Sequence, residues 1–517
     1  MSDTTKKPPS TPPAPIDDRV WAEDLCAALV EAAKKFGAQA SDATAGLSAS
    51  LSASARDGAV EDVTRSQSRS AAVRVIVDGK LGFATSSDAP TTPDEIEDLA
   101  RTAVQLAALS TSSPHNIVLA GAAISAAELR AAGEALSTWD DVTARLDGAW
   151  CAQQALLCEK IVRGHDGVSG VRDVSAGVRR GVFALATSTG FVGSLRGTNA
   201  QLSCSAVVED GSKKQVDSWW SQARSIGAVD APVVVADEAA RRALSRRNGR
   251  RIASQALPVI FDPQMARGFF GGVLGVVCGD AVARKQSFLA AAVGERVLPT
   301  GLLLVDDPLL VGGFASRAFD GEGQLSQRRV IVDDAGRLTG FFLDGRSAAR
   351  LSSSSTASAS RGTTSLPHAS PTNTTLTGGS GSLDDIIKAT KKGFLVTKVL
   401  GRGADSTTGD MSRGAAGFYV DDGAIAFPVE EVTIAGNARE LLLAIDRVGA
   451  DVDARSSLRL PSLRFAEMAI GGLWSYVKEF NARQRRCARV DLHEMGRSAR
   501  IVLENSADRP TSRKRAA

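Results

Sequence analysis

Histidine is almost absent from this chain. Four occur in 517 residues, His115, His165, His368 and His493, and none falls between His165 and His368. Imidazole is the commonest metal ligand and the usual general base near neutral pH, so the middle of the chain has no material for a histidine-built zinc site. Cysteine does not fill the gap. Cys26, Cys151, Cys158, Cys204, Cys278 and Cys487 are scattered, with no Cys-x-x-Cys, which excludes a zinc ribbon or a thioredoxin-type redox pair. Aromatic residues are only 5% of the chain, against 49 glycines, so a core of small residues linked by tight turns is expected. No run of about 18 apolar residues occurs, as a membrane helix would need. The opening MSDTTKKPPSTPPAPIDD has no apolar secretory core. The expectation is a soluble cytoplasmic protein with reduced, buried thiols. Net charge is only +3, and residues 473–517 alone hold 11 Lys+Arg against 5 Asp+Glu. Nucleic-acid binding would rest on that basic tail; no membrane or nucleic-acid partner is expected of the rest.

What the chain does have is punctuation. Residues 1–16 carry five prolines and read as a disordered leader. From Asp18 a helix places Trp21, Leu25, Leu29, Ala32 and Phe36 on one face and can end at Gly37. Asp57-Gly58 and Asp78-Gly79 separate strand-like runs at 47–55, 59–67, 71–77 and 81–86, the signature of hairpins. Thr92-Pro93-Asp94-Glu95 is a capping box with proline at the first helical position, which predicts a helix to Leu109. A long helix is expected over 139–162, and a basic, exposed one over 237–247 ended by Asn248-Gly249. After Leu257 short apolar runs alternate with acidic turns at 306–308, 320–323, 333–336, 344–346 and 421–423, as in an antiparallel sheet or barrel. Ser382 can cap a short helix that Gly393 ends, and SSSSTASASRGTTS (352–365) reads as a mobile loop. The fold class expected is α+β. An N-terminal α/β domain (17–256) precedes a β-rich, mainly antiparallel C-terminal domain (257–472), flanked by the leader and a disordered basic tail (473–517).

Familiar catalytic motifs are missing. Gly-x-Ser-x-Gly does not occur, so there is no nucleophile elbow. GFFGGVLG (268–275) is glycine-rich but lacks the Lys-Ser/Thr ending of a phosphate loop; its glycines are expected to permit close helix packing. His493-Glu494 would need a histidine at 497 or 498, and those are Arg497 and Ser498.

A series of short blocks says more. AAVRVIVDGKLGFATSSD (71–88), LPVIFDP (257–263), RKQSFL (284–289), LLLVDDP (302–308), FDGEG (319–323), TNTTLTGG (372–379) and LPSLRFAEMAIGG (460–472) follow one another in an order and spacing similar to the TldD/PmbA family. The chain resembles that family from about Asp18 to Gly472. It resembles the PmbA (TldE) half, because Gly271, Gly272 and Val276 stand roughly where the metalloprotease half carries a histidine–glutamate–histidine zinc helix. The resemblance implies two domains pairing into a clam-shaped dimer. A TldD-like partner would supply the zinc, and this chain, with no cofactor of its own, would form the other wall of a cavity that admits unfolded peptides. A cysteine that completes the partner's zinc site has no counterpart in 451–461. The family's Asp-Asp-Glu-Gly is reduced to Asp320-Gly321-Glu322-Gly323, and its Thr-Gly-Asn is replaced by Thr356-Ala357-Ser358.

The expected function is therefore a PmbA/TldE-like subunit of a two-component cytoplasmic metalloprotease; the alternative is a stand-alone, homodimeric peptide-binding or modulator protein. No catalytic residue and no metal ligand is expected in this chain. Asp320 and Glu322 have two readings. Asp before Gly stabilises turns by side-chain to backbone bonds, or the pair lies on the cavity wall and orients a peptide. Asn373 and Asn437 either bond main chain locally or pair with an extended peptide, and His368 sits in a loop that could touch substrate.

Overall fold

The computed structural model describes residues 18–472; the leader and the basic tail lie outside them. The N-terminal part runs α1 (Arg19–Lys35), β1 (Ala40–Arg56), β2 (Ala59–Val77), β3 (Lys80–Ser86), α2 (Pro93–Ala108), α3 (Ala126–Ala135), α4 (Asp141–Arg145), α5 (Gly148–Arg163), β4 (Val168–Thr187), β5 (Val192–Asp210), β6 (Lys213–Ala223) and α6 (Pro232–Leu244). The six strands form one antiparallel sheet in the order β3-β2-β1-β4-β5-β6. Strand alternation sorts its two faces. Ala43, Ala45, Ala53 and Ala55 of β1 point to the helices, with α1 and α2 covering one end and α5 and α6 the other. Alanine on both sides brings helix and sheet close, which explains how a core forms with few aromatic rings. The hairpin turns stand where expected: Asp57 and Asp78 have φ of 54° and 51°, as primed turns require. Thr92 and Glu95 close their capping box, with proline in the first turn of α2.

Three expectations need correction. The helix over 139–162 is two helices, because Asp140 accepts the Thr143 N–H at 2.8 Å and Asp147 the Trp150 N–H at 2.9 Å, each capping a new start. The runs 59–67 and 71–77 are one strand, held to β1 along its whole length. The helix near 237–247 begins at Pro232 and buries Val235, Ala236, Ala239, Ala240 and Ala243, so only its outer side is basic and exposed.

The C-terminal part contains β7 (Gln255–Phe261), α7 (Pro263–Val276), α8 (Gly279–Ala283), β8 (Leu303–Asp306), β9 (Arg329–Val332), α9 (Gly345–Arg350), β10 (Ala359–Ser360), β11 (His368–Ala369), β12 (Thr374–Thr377), α10 (Leu383–Lys388), β13 (Lys392–Leu400), β14 (Asp410–Asp421), β15 (Ala424–Asn437), α11 (Ala438–Leu443), β16 (Ile445–Val448), β17 (Leu458–Arg459) and β18 (Leu463–Gly472). Strands β15-β14-β13-β7-β18 lie side by side, and β18 also pairs with β15. The ring is closed, and closure removes exposed edges. It is mainly antiparallel; β7 and β13 run parallel. β7 is buried on both faces, with Val259 and Phe261 in the main core and Ile260 in a smaller cluster with Ile386, Ile387 and Leu395. That is why LPVIF reads as an unbroken apolar run. Phe261, Phe269 and Phe465 meet edge to face at centroid distances of 5.1–6.3 Å, fastening α7 to the barrel. α10 ends at Lys388, and Gly393 belongs to β13. Among the described residues no helix is long and apolar enough to cross a membrane.

The tract 352–365 is anchored, contrary to expectation. Thr356 Oγ1 accepts the Leu343 N–H at 2.7 Å, β10 pairs with β11, and Ser358 and Arg361 are buried. Its hydroxyls satisfy backbone groups, so a polar run can be ordered without an apolar face. Ala357 takes φ +54°, a left-handed conformation costing a residue with Cβ about 1–2 kcal/mol. Ala357→Gly is therefore expected to raise the unfolding free energy by about 0.5–1 kcal/mol, after allowing for the freer unfolded glycine chain. Urea unfolding of the two proteins measures it; an unchanged or lower midpoint would count against strain at this position.

Candidate functional site

Two places in the fold could hold chemistry. The first is the outer side of α7. Asp262 caps the helix by accepting the Met265 N–H at 2.8 Å, and Pro263 starts it. Phe269, Phe270, Val273 and Leu274 fill the buried side. Gly268, Gly271, Gly272 and Gly275 recur at helical spacing on the other side and are exposed. A Cβ on Gly268, Gly272 or Gly275 would meet nothing within 4 Å, and one on Gly271 only Leu458 at 3.9 Å. The glycines therefore do not serve helix packing within this chain; they leave a strip of bare backbone. Facing it is the segment leading to β17. Asp453 there receives two guanidinium bonds from Arg455, at 2.9 and 3.1 Å, and one from its backbone N–H at 3.0 Å, and lies 3.6 Å from Arg267 of α7. Arg455 rests on Trp219 and Trp220 at 4.1 and 5.1 Å, and Arg267 on Trp220 at 5.1 Å. Burial works against the Asp453 carboxylate, but its arginines prevail and hold the pKa below the usual range.

The second place is a cavity of about 880 Å³ between the face of the N-terminal sheet turned away from α1, α2, α5 and α6 and the C-terminal loops 314–321 and 360–372. Behind it the two halves are tied by a buried ion network. Asp42 of β1 receives the Arg74 Nε–H at 2.9 Å and the Arg361 Nη1–H at 2.8 Å, and Arg74 lies 3.6 Å from Glu322. Burial alone would raise the Asp42 carboxyl, but Arg361 and Arg74 hold it below its ordinary value. The junction is close: a Cβ on Gly46 would come within 2.6 Å of Thr363.

Of the five residues singled out from sequence, only Asp320 lines this cavity. It accepts the N–H groups of Glu322, Gln324 and Ala359 at 2.9–3.0 Å. Glu322 is buried and accepts the Gly345 N–H at 2.7 Å. Asn373 is fully buried, accepting from Ala315 N–H and donating to the Asp307 oxygen and Ser316 Oγ, each at 2.9 Å. Asn437 caps α11 and bonds Thr408 and Asp410. His368 stands exposed on β11. The structure thus employs four of the five locally. Sequence reasoning missed Asp42, Arg74, Arg224, Arg317 and Arg361. A single charge inside a run of Ser, Thr and Ala, as at Asp42 and Arg361, is the signal that could have flagged two of them.

Three family models cover this architecture in order: PmbA/TldA metallopeptidase domain 1 (residues 48–107), central domain (144–247) and C-terminal domain (254–472). The chain belongs to the PmbA/TldD family. It is similar to metalloprotease PmbA of Escherichia coli O157:H7, 35% identical over 293 residues, which is 56% of this chain and 63% of that protein. It is 30% identical over 450 residues to a PmbA homologue of Haemophilus influenzae, covering 86% of this chain and 94% of the other. The crystal structure of TldE from Thermococcus kodakarensis shares the fold, with a TM-score of 0.76 at 20% identity over 86% of this chain and 99% of that one.

Within a PmbA-like member, α7 can be asked whether it fits zinc. Zinc needs three or four nitrogen, sulfur or oxygen donors converging on one point. The open side of α7 offers none, the facing carboxylate is engaged by arginine, and two guanidinium charges would repel a dication. Among the described residues no three His, Cys, Asp or Glu side chains are placed to hold a metal. The residues here do not fit zinc.

Two predictions concern the junction. Asp320→Ala leaves three buried N–H groups without an acceptor and is expected to cost about 3 kcal/mol or more; Asp320→Asn, which keeps one carbonyl oxygen, should cost less. Equal, small losses in urea unfolding would show that the turn does not need the carboxylate. Glu322 is pushed up from its ordinary value to about 7, by burial first and by Asp320 and Asp344 after it, against Arg74 and the Gly345 N–H. The folded state therefore favours the protonated acid. Its contribution to stability is fully present below about pH 4.5 and is lost as pH rises through about 7, a swing of roughly 1–3 kcal/mol. Glu322→Gln should flatten unfolding free energy across that window, and an identical pH slope in the variant would refute the assignment.

Proposed function

We propose that this PmbA-like chain is the peptide-holding half of a two-component metalloprotease in the cytoplasm, and that a TldD-like partner supplies the zinc. The observation that carries the reading is the stripped side of α7. The helix is capped, fastened and presented as a working element, yet its open side has neither ligands nor side chains. Bare backbone next to a shallow wall suits an extended, unfolded peptide, which needs room along its length. Holding such a peptide beside a partner's metal-bound water makes an encounter effectively intramolecular. The peptidase-like role accords with the relatives named metalloprotease PmbA.

The test uses the purified chain, a TldD-like homologue from the same cell, and an unfolded peptide. The chain alone, reloaded with zinc and mildly chelated, should retain far less than one equivalent of metal by elemental analysis. Cleavage should appear with the pair, exceed that of the partner alone, and stop on chelation. Gly272→Phe, which fills the open side of α7, should reduce cleavage by the pair by about tenfold or more without lowering stability. If the pair gains nothing over the partner alone, the stand-alone peptide binder becomes the better account. Metal-dependent cleavage by the lone chain would overturn both.

A further inference from the structure

The cavity between the sheet and the C-terminal loops carries a charge pattern that the α7 reading does not use. Its lining includes five arginines, Arg179, Arg196, Arg224, Arg317 and Arg361, against one carboxylate, Asp320. Two of the five are committed elsewhere: Arg196 pairs with Glu134 at 3.4 Å, and Arg361 with Asp42 at 2.8 Å. Arg179, Arg224 and Arg317 have no carboxylate within ion-pair distance among the described residues; the ion pairs formed there do not include them.

The three are placed differently, and none forms an ion pair among the described residues. Arg179, on β4, is exposed, and its one side-chain bond is a long one, 3.4 Å, to Ser48 Oγ. Arg224 donates only to main-chain oxygens, those of Thr198 at 3.1 Å, Gly313 at 3.4 Å and Phe314. Burial lowers its pKa to about 10, which leaves it cationic at neutral pH. Arg317 has buried Nε and Nη2 atoms with no hydrogen-bond partner. Asp320 and Asp306 lie near enough to act on its charge but do not bond it. Asp306 is taken by Thr372 N–H, Thr372 Oγ1 and Thr374 Oγ1 at 2.7–2.8 Å, and Asp320 by three backbone N–H groups. Arg361, its side chain fully buried, likewise keeps Nε and Nη2 unpartnered. Buried guanidinium nitrogens without acceptors are costly, and native structures leave few without cause.

The walls mix polar groups with apolar side chains: Ser48, Ser68, Thr198 and Thr364 add hydroxyls beside Leu47, Phe183 and Phe319. Guanidinium forks match the planar, two-oxygen face of carboxylates and phosphates. We propose that this cavity is a binding site for an oxyanion, the carboxylate groups of a short acidic peptide segment or a free phosphate-type ligand, held by Arg179, Arg224 and Arg317. The site lies apart from the open side of α7 and needs no partner subunit, so its test stands or falls independently of the protease reading.

Isothermal titration of the full chain with a tetraglutamate peptide and with inorganic pyrophosphate, in about 0.05 M salt, tests it. At least one probe should bind with one-to-one stoichiometry; binding of only one identifies which source of oxyanion the cavity prefers. Arg179→Gln, an exposed position that leaves the fold intact, and Arg317→Gln, checked for folding by its melting curve, should each weaken binding about tenfold. Arg172→Gln removes an exposed positive charge outside the cavity lining and should leave affinity unchanged. No binding of either probe would show that the cavity holds only water and would overturn the proposal. So would equal weakening in all three variants, which would mark a diffuse charge effect, or no weakening in Arg179→Gln.

Discussion

Asp42 holds the two halves of this molecule together. It sits on an inner strand of the first sheet, fully buried, and receives Arg74 from the next strand and Arg361 from a loop of the second domain. Two guanidinium groups on one carboxylate offset the cost of taking all three from water, and removing one partner of such a set typically costs about 3–5 kcal/mol. The geometry spreads from there. Arg361 can reach Asp42 only because the 352–365 tract is pinned by its own hydroxyls. Thr363 can lie against β1 only because position 46 has no side chain. Glu322 lies beside Arg74, within the turn that Asp320 organises. Protonation and packing at the junction are therefore one problem, and charge at Glu322 bears on both.

Much of the fold was legible because it is local. The Asp-Gly turns, the Thr92 capping box and the apolar run of β7 announce themselves through backbone conformation, end capping and burial, all of which act over a few residues. The misreadings share a different cause. Asp140 and Asp147 each look like one polar residue on a helix face, but a carboxylate that captures a backbone N–H two or three residues on restarts the helix. The α6 register was hidden because alanine marks a buried face weakly. The serine- and threonine-rich tract read as mobile because its order comes from side-chain to backbone bonds rather than from periodic apolar residues.

The sequence shows which ligand types the α7 region lacks and not what stands in their place. The missing histidines and cysteine are read directly from the chain. They did not show that Arg267, Arg455 and Asp453 form an ion-paired stack on Trp219 and Trp220, since these residues are distant in sequence and each is common on a surface. The cavity arginines were invisible for the same reason: Arg179, Arg224 and Arg317 are far apart in sequence, and only the folded chain brings them to one cavity.

The closure of the barrel by β18 has a consequence for how the chain must be made. β7 is an early strand of that domain, yet both its neighbours, β13 and β18, come from residues 392–400 and 463–472. The first sheet, built largely of sequence-adjacent hairpins, can assemble as it is synthesised. The barrel's inner strand gains its first partner only when β13 emerges and stays open on its other edge until nearly the whole described chain has left the ribosome. Non-local pairing of this kind is slow and exposes apolar strand surface meanwhile. Leu257 to Phe261 is thus the stretch of nascent chain most in need of shielding.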